Sequence, residues 1–523
     1  MRLNEKILCR EGSLSDCGGR IREWQVWLVL LLYSFALLQI AGSDGWFRIT
    51  PLKIDSAWFY ICGKSWMSGL IPYRDFTDSK GPLLWLIYGL GYLITPHKFY
   101  GLFFIELIFY SLNFYVLYRA AHLLSRDKGV SMLTSMAMGV FFFYPGIHFQ
   151  IKTEDFCLLF NSIIFYSAIK LIYRDEYSWK CLFLTGVSLG AFLLMKFAYF
   201  LTAGLPALVI IIYIGVKKRH LLLKSLGWML GGFGLMVIPF CVSMLILGAF
   251  GDFVGEYFMK TGSTILNLKE GYDAHPDLKH RWPFRIFYLY RGSNYLNVYM
   301  QMVLIGFFFT LYLFRKSRWM ETTLLLWYLG SVFLFSVVLA EHYFFMVSIF
   351  IFGGILMLAF LFGSLDLRES LVGGALILAI VAIVTTFNIY SEFYFSERDR
   401  KSSEEMEKVA YIINQREEQT GKRPTITFYQ NSDRGEDIGT NAVAGTKYFA
   451  EQAGMTEEME RRHREDIFET KPDFVVVKIE DEEFGKRLEG VGYKMVREYV
   501  ASENNPRHVN LLYEKTIERR RGN

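Results

Sequence analysis

Apolar runs long enough to cross a bilayer recur from Trp24 to Tyr390, and they dictate the kind of fold this chain adopts. They lie at about Trp24–Gly42, Phe99–Leu124, Val130–Pro145, Phe156–Tyr173, Cys181–Met195, Ala198–Val216, Leu221–Phe250, Leu296–Phe314, Thr322–Ala340, Tyr343–Phe362 and Leu371–Tyr390. A helix rises about 1.5 Å per residue, so a hydrocarbon core of roughly 30 Å takes about 20 predominantly apolar residues. Each run therefore reads as a spanning helix, about eleven in all. Composition agrees, since 53% hydrophobic and 17% aromatic residues exceed what a soluble protein with one added anchor carries. A net charge of +5 on 523 residues is small and gives no case for nucleic acid.

One apolar run breaks the pattern. Leu83 to Thr95, between Pro82 and Pro96, is too short to span and follows directly on Asp78-Ser79-Lys80-Gly81. It reads as a segment in the interface, or dipping part-way into the bilayer. Whether it spans decides the topology. If it does not, Arg119 with Arg126 and Lys128, Arg174 with Lys180, Lys217-Lys218-Arg219 with Lys224, and Arg315-Lys316 with Arg318 all face the cytoplasm. If it does, all of these basic loops move outside. The positive-inside bias selects the first arrangement. The outward segments are then Ala41–Pro82, His148–Asp155, the neighbourhood of Lys196, Gly251–Asn294, Glu341-His342 and everything after about Ser391.

The expected fold class is an α-helical polytopic membrane protein with juxtamembrane helices and a small C-terminal α/β soluble domain. Residues 1–23 form a basic cytoplasmic tail, 24–390 the membrane domain and 391–523 an extracytoplasmic domain. Trp27–Ile40 before Ala41-Gly42-Ser43 has the look of a signal peptide, but the long basic stretch ahead of it and the many spans behind it make it an uncleaved first helix. From Ser391 the composition turns charged. Alternating apolar runs at Thr425–Tyr429, Phe474–Lys478, Tyr493–Val500 and Val509–Tyr513 predict strands, with helices at Ser403–Gln415 and Thr456–Phe468 between them. The six cysteines, at 9, 17, 62, 157, 181 and 241, have neither metal-ligand spacing nor a disulfide framework and read as small apolar fillers.

Charged residues gather at the outward helix ends. Asp55 opens a helix that reads as a surface helix to Gly69, with Phe59, Cys62 and Trp66 near one face and Pro72 beyond its stop. Asp55 at its first turn is a helix cap, a general base, or both. The loop from Pro72 to Pro82 packs Arg74, Asp75, Asp78 and Lys80 at the membrane surface, as a binding loop or a solvated turn. Glu154 and Asp155, after Lys152-Thr153, suit the start of a helix dipole. They are also placed to face Asp55 across one cavity, where carboxylates polarise a hydroxyl or hold a divalent metal ion. Asp55, Glu154 and Asp155 are thus the candidate catalytic residues and the candidate metal ligands. Lys196 interrupts apolar sequence, either snorkelling to headgroups or pairing with a lipid phosphate. Arg281 and Arg285 sit in a basic loop rich in aromatics, suited to a phosphate head among acyl chains or to plain headgroup contact. His342 and Tyr343 begin a late span, where a lone His is structural or a functional ionisable group. Arg74, Asp78, Lys80, Lys196, Arg281, Arg285, His342 and Tyr343 are the candidate substrate-binding residues.

This order of features resembles the GT-C superfamily of polytopic glycosyltransferases, in the bacterial branch related to protein O-mannosyltransferases and lipid A aminoarabinose transferase. Asp55, Lys80-Gly81-Pro82-Leu83, Thr153-Glu154-Asp155 and His342-Tyr343 carry the resemblance. Gly81 stands where better-known relatives have Pro, and Ser79 where the aminoarabinose transferases have an acid. The resemblance implies transfer of a sugar from a polyprenyl-phosphate donor, undecaprenyl in a bacterium, to a hydroxyl of a lipid, glycan or protein. Transfer would take place on the outer face of the inner membrane, with inversion and with no nucleotide. Asp55 would take the hydroxyl proton, Lys80 with Arg74 or the basic loop would neutralise the departing phosphate, and Glu154 or Asp155 would orient the acceptor or share a divalent ion. Two other readings are a polymerase or ligase of lipid-linked oligosaccharide, and a flippase or transporter. The first places its functional charges in large mid-chain loops, the second near mid-membrane in broken helices. Neither matches charges gathered early and at helix ends.

Overall fold

A computed structural model of the chain describes residues 22–41, 54–78, 80–96, 98–142, 153–260, 397–429, 435–450, 457–500 and 509–516. The runs expected at Leu296–Phe314, Thr322–Ala340, Tyr343–Phe362 and Leu371–Tyr390 lie outside these residues.

The earlier apolar runs are helices. They are α1 (Glu23–Ala41), α4 (Tyr100–Ser125), α5 (Lys128–Phe142), α6 (Thr153–Ala168, continued by a π-helical turn to Tyr173), α7 (Trp179–Met195), α8 (Phe197–Lys217) and α9 (Leu222–Ile246). Among the described residues three stretches are both long and apolar enough to cross a membrane: Tyr100–Ser125, Thr153–Tyr173 and Arg219–Ile246. Lipid offers no hydrophobic drive between helices, so close backbone approach must do the packing. Here α7 and α9 meet through glycine. A Cβ on Gly186 would stand 1.9 Å from the Met229 carbonyl oxygen, and one on Gly232 2.0 Å from that of Phe183.

Two shorter helices precede these spans in the outward-expected region. α2 is Ile54–Met67, closed by Gly69 in the left-handed region (φ +97°). α3 is Pro82–Ile94, with proline in its first turn where the missing N–H costs nothing. Its 13 residues reach only about 20 Å. The short apolar run is thus one helix, too short to span.

The C-terminal region is a five-stranded sheet in the order β2-β1-β3-β5-β4. Its strands are β1 (Thr425–Tyr429), β2 (Val443–Ala444), β3 (Phe474–Lys478), β4 (Tyr493–Val500) and β5 (Val509–Lys515). β1 pairs in parallel with β2 and β3, while β5 is antiparallel to β3 and β4. Helices α11 (Glu397–Thr420), α12 (Glu457–Thr470) and α13 (Glu482–Gly490) cover it; a one-turn α10 (Phe250–Phe253) closes the preceding bundle segment and runs into a π-helical turn, Val254–Lys260. Side chains alternate across a strand. Accordingly Phe474 and Val476 pack with Ile426, Phe428, Val409 and Ile413, whereas Val475 and Val477 pack with Tyr429, Ile467, Phe484 and Leu488.

This domain sits on α2, which corrects one expectation. The helix opened by Asp55 is no surface helix: Trp58 to Cys62, Lys64 and Ser65 are all buried. The Phe449 ring meets Trp58 edge-on at 5.8 Å, Ala444 donates its N–H to Ser65 Oγ at 3.0 Å, and the Tyr92 hydroxyl of α3 donates to Asn441 at 3.0 Å. The aromatic face read as membrane-seeking is instead covered by protein.

Candidate functional site

The loop from Pro72 to Gly81 is built to hold a shape. Tyr73 takes φ +66°, a costly conformation for a residue with a side chain. It is held by its N–H to the Phe76 carbonyl at 2.7 Å, and its ring stacks among Trp85, Phe253 and Tyr257 at 4.8, 5.3 and 6.0 Å. Its hydroxyl donates to the Lys80 carbonyl at 3.1 Å. Burial, and after it the neighbouring Tyr257 and Asp78, hold that hydroxyl well above the ordinary phenol range, so it stays a neutral donor. Asp78 is buried in this loop. Arg74 is exposed, with Nε 3.0 Å from Asp75 Oδ1.

At Gly81 the loop meets the far end of α7. The Gly81 N–H donates to the Met195 carbonyl at 2.7 Å, and a Cβ on Gly81 would lie 2.1 Å from the Leu194 carbonyl oxygen. Only glycine fits here, since any Cβ would collide with the Leu194 carbonyl. Lys80 precedes Gly81 and Lys196 follows Met195, so this one hydrogen bond brings together two lysines far apart in sequence. Both stand just ahead of helix starts, Lys80 before α3 and Lys196 before α8. Cations there oppose the helix dipole, whose N-terminal end is already positive. The backbones of two lysines thus meet where two helices begin. Each lysine also lies over an aromatic ring, Lys80 Nζ 5.7 Å from the centroid of Phe59 and Lys196 Nζ 4.6 Å from that of Tyr199.

One acid is linked to this site. Lys196 Nζ donates to the Tyr199 hydroxyl at 3.3 Å, and that hydroxyl donates to Glu154 Oε1, so Glu154, Tyr199 and Lys196 form one chain. Asp155 turns elsewhere, accepting from the buried Tyr110 hydroxyl at 2.8 Å. Asp55 is exposed in the first turn of α2. It lies four residues before Phe59, hence on the same helix face as the ring beneath Lys80. Among the described residues no hydrogen bond or ion pair holds Asp55.

The described residues contain no group of three His, Cys, Asp or Glu side chains arranged to hold a metal ion. Glu154 and Asp155 accept hydrogen bonds from tyrosines on different helices, Tyr199 of α8 and Tyr110 of α4. Arg281, Arg285, His342 and Tyr343 lie outside the described residues, as does Lys152. Tyr199 and Tyr110 escaped sequence reading. In a chain with 32 tyrosines they carry no distinctive signal beyond the Lys196-to-Tyr199 spacing of one helical turn.

The other ends of the same helices hold the basic loops. Lys128 at the start of α5 meets Glu23 at the start of α1 at 3.5 Å, and Lys218 after α8 meets Asp175 after α6 at 3.0 Å. Charged residues thus also gather at these other helix ends.

Residues 79–243 match the model of a family described as dolichyl-phosphate-mannose-protein mannosyltransferase. That stretch contains Lys80, Glu154, Asp155 and Lys196 but not Asp55. No curated protein matches the chain. Among solved structures it is similar to that of ArnT from Cupriavidus metallidurans bound to undecaprenyl phosphate, with a TM-score of 0.51 over 94% of this chain and 97% of that one, at 11% sequence identity. Both matches fall in the GT-C superfamily, and the fold of this chain is of that polytopic kind, with a small sheet domain at its C-terminal end.

Proposed function

We propose that this protein is a membrane glycosyltransferase that moves a sugar from a polyprenyl-phosphate donor, undecaprenyl phosphate as its lipid, to an acceptor hydroxyl on the extracytoplasmic face, with inversion. The observation that carries this reading is the Gly81-to-Met195 hydrogen bond, which brings the backbones of Lys80 and Lys196 together at two helix starts. The family match and the fold supply the reaction class; the lysines supply a reason for a lipid phosphate to bind there.

The reaction follows from charge. The acceptor oxygen attacks the anomeric carbon while the bond from that carbon to the phosphate oxygen breaks. The hydroxyl proton passes to the Asp55 carboxylate, which is exposed and so open to an acceptor. Polyprenyl phosphate leaves with both electrons of the broken bond, and its growing negative charge falls between Lys80 and Lys196. Stabilising charge that develops only as the bond breaks lowers the barrier rather than merely tightening binding. Arg74, exposed at the loop tip, meets the incoming headgroup, and the Glu154–Tyr199 pair keeps Lys196 oriented. The acceptor class is a lipid, a glycan or a protein side chain.

Asp55→Asn, in folded enzyme assayed with a polyprenyl-linked sugar, is expected to lose about 10²–10⁴-fold in turnover, the usual contribution of a positioned base. Turnover near wild type would remove Asp55 from the mechanism. A flippase would relocate the donor without breaking its glycosidic bond, so chromatography of the product lipid separates the two activities.

A further inference from the structure

We propose that the C-terminal domain is a positioning element of the transferase site, holding the Asp78–Lys80 loop in place through a clamp centred on Lys64 and Asp437. This rests on the reading of Lys80 as a phosphate ligand.

Lys64 lies in the last turn of α2, and its side chain and that of Asp437 are both 0% exposed. Its ammonium group donates to the Asp437 carboxylate, to the Asp437 carbonyl at 2.9 Å and to the Thr440 carbonyl at 3.4 Å. An ammonium has three donors, and here all three reach one turn of the C-terminal domain. A buried ion pair is a poor source of stability, because desolvation offsets most of the attraction. What it supplies is register. A point charge meeting three acceptors admits one placement of the 437–440 turn along α2, where an apolar contact would tolerate sliding.

That register decides what happens further along the segment. Ala444 donates to Ser65 Oγ at 3.0 Å, and the Lys447 carbonyl accepts the Thr77 N–H at 2.9 Å. Lys447 Nζ then reaches Glu256 at 3.1 Å, and the Tyr448 hydroxyl donates to Glu256 at 3.1 Å. The stretch 77–81 is consequently pinned at both ends, at Thr77 by the C-terminal domain and at Gly81 by α7. Asp78 and Lys80 lie between the pins. Lys64 and Asp437 touch no substrate in this account; they act through the loop.

The test uses full-length protein in nanodiscs. Lys64→Met with Asp437→Leu replaces the pair by apolar groups and leaves no buried charge unpaired. Exchange of the amides of residues 73–78 is expected to quicken by about tenfold or more while those of α4 and α7 are unchanged, and affinity for undecaprenyl phosphate to fall by about tenfold. Ser65→Ala, which removes one acceptor and leaves the ion pair intact, should shift both measurements the same way by less, and it decides the matter should the double variant not fold. Unchanged exchange at 73–78 overturns the clamp. Faster exchange with unchanged lipid affinity overturns the positioning role. Lys80→Gln is measured beside them: if it binds undecaprenyl phosphate like wild type, the reading of Lys80 fails, and the exchange data still judge the clamp.

Discussion

Four helices of the membrane region begin in two opposite ways. α2 and α6 start on acids, Asp55 in one and Glu154 with Asp155 in the other. α3 and α8 start behind lysines, Lys80 and Lys196. The first arrangement is what a helix dipole favours, so acids there have a structural reason to exist whatever else they do. The second runs against the dipole and costs stability locally. The proposed binding of a lipid phosphate gives a reason for a cost repeated at two helix starts whose backbones meet. The contrast therefore ranks the candidates: the lysines are harder to explain away than the acids.

The contrast can be sharpened or broken by measurement. The Asp55→Asn variant carries the largest expected effect, and unfolding measured alongside turnover tells cap from base. Asp55 lies inside the first turn, so an acid that serves only the helix dipole loses about 0.3–1 kcal/mol of stability and little rate on becoming Asn. Next in size is a control away from both kinds of helix start. His463 in α12 is 3% exposed, 6.1 Å from the Tyr429 ring, and burial lowers its pKa from 6.5 to about 4. Its neutral form is the buried one, so the unfolded chain takes up a proton first as pH falls. Stability is complete above about pH 6.5 and is lost toward pH 4, by about 3 kcal/mol at the limit. His463→Leu should flatten that slope in acid unfolding of the C-terminal domain without altering lipid binding at neutral pH.

Lys80→Gln comes third. Affinity for undecaprenyl phosphate should fall by roughly 10- to 100-fold, since a hydrogen bond to a charged group is worth about 1.5–3 kcal/mol. Thermal stability should hold or rise by up to about 1 kcal/mol, because an unfavourable charge leaves the helix start. A fall in stability would erase the distinction drawn between the two kinds of start. The smallest effect belongs to Tyr199→Phe. It keeps the ring under Lys196 and deletes the hydroxyl shared with Glu154, so kcat/KM should drop by about fivefold, the worth of one hydrogen bond at about 1 kcal/mol.

Much of the C-terminal domain was legible in its pattern. Three of the expected strands, Thr425–Tyr429, Phe474–Lys478 and Tyr493–Val500, have the bounds read from alternation, and the fourth runs two residues longer. β2 was missed because two residues carry no periodicity, and α13 because Glu482–Gly490 is short and mostly charged. In the bundle, Lys80, Glu154 and Lys196 were visible as charges at apolar boundaries. Lys64 was passed over, although a lysine inside an otherwise apolar helix is a signal of a buried partner. That partner lies in another domain, at Asp437, where no local pattern reaches.

The sequence by itself determined which apolar stretches of the described residues are helices, which helix ends bear charge and where most strands of the C-terminal domain run. These follow from length, periodicity and the cost of burying charge, all properties of a chain read locally. Only the tertiary structure decided that Gly81 meets Met195, that Tyr199 joins Glu154 to Lys196 and that α2 lies under the C-terminal domain. Each of those depends on how one helix is set against another, and contacts a few ångströms long between distant segments leave no period in the sequence to read.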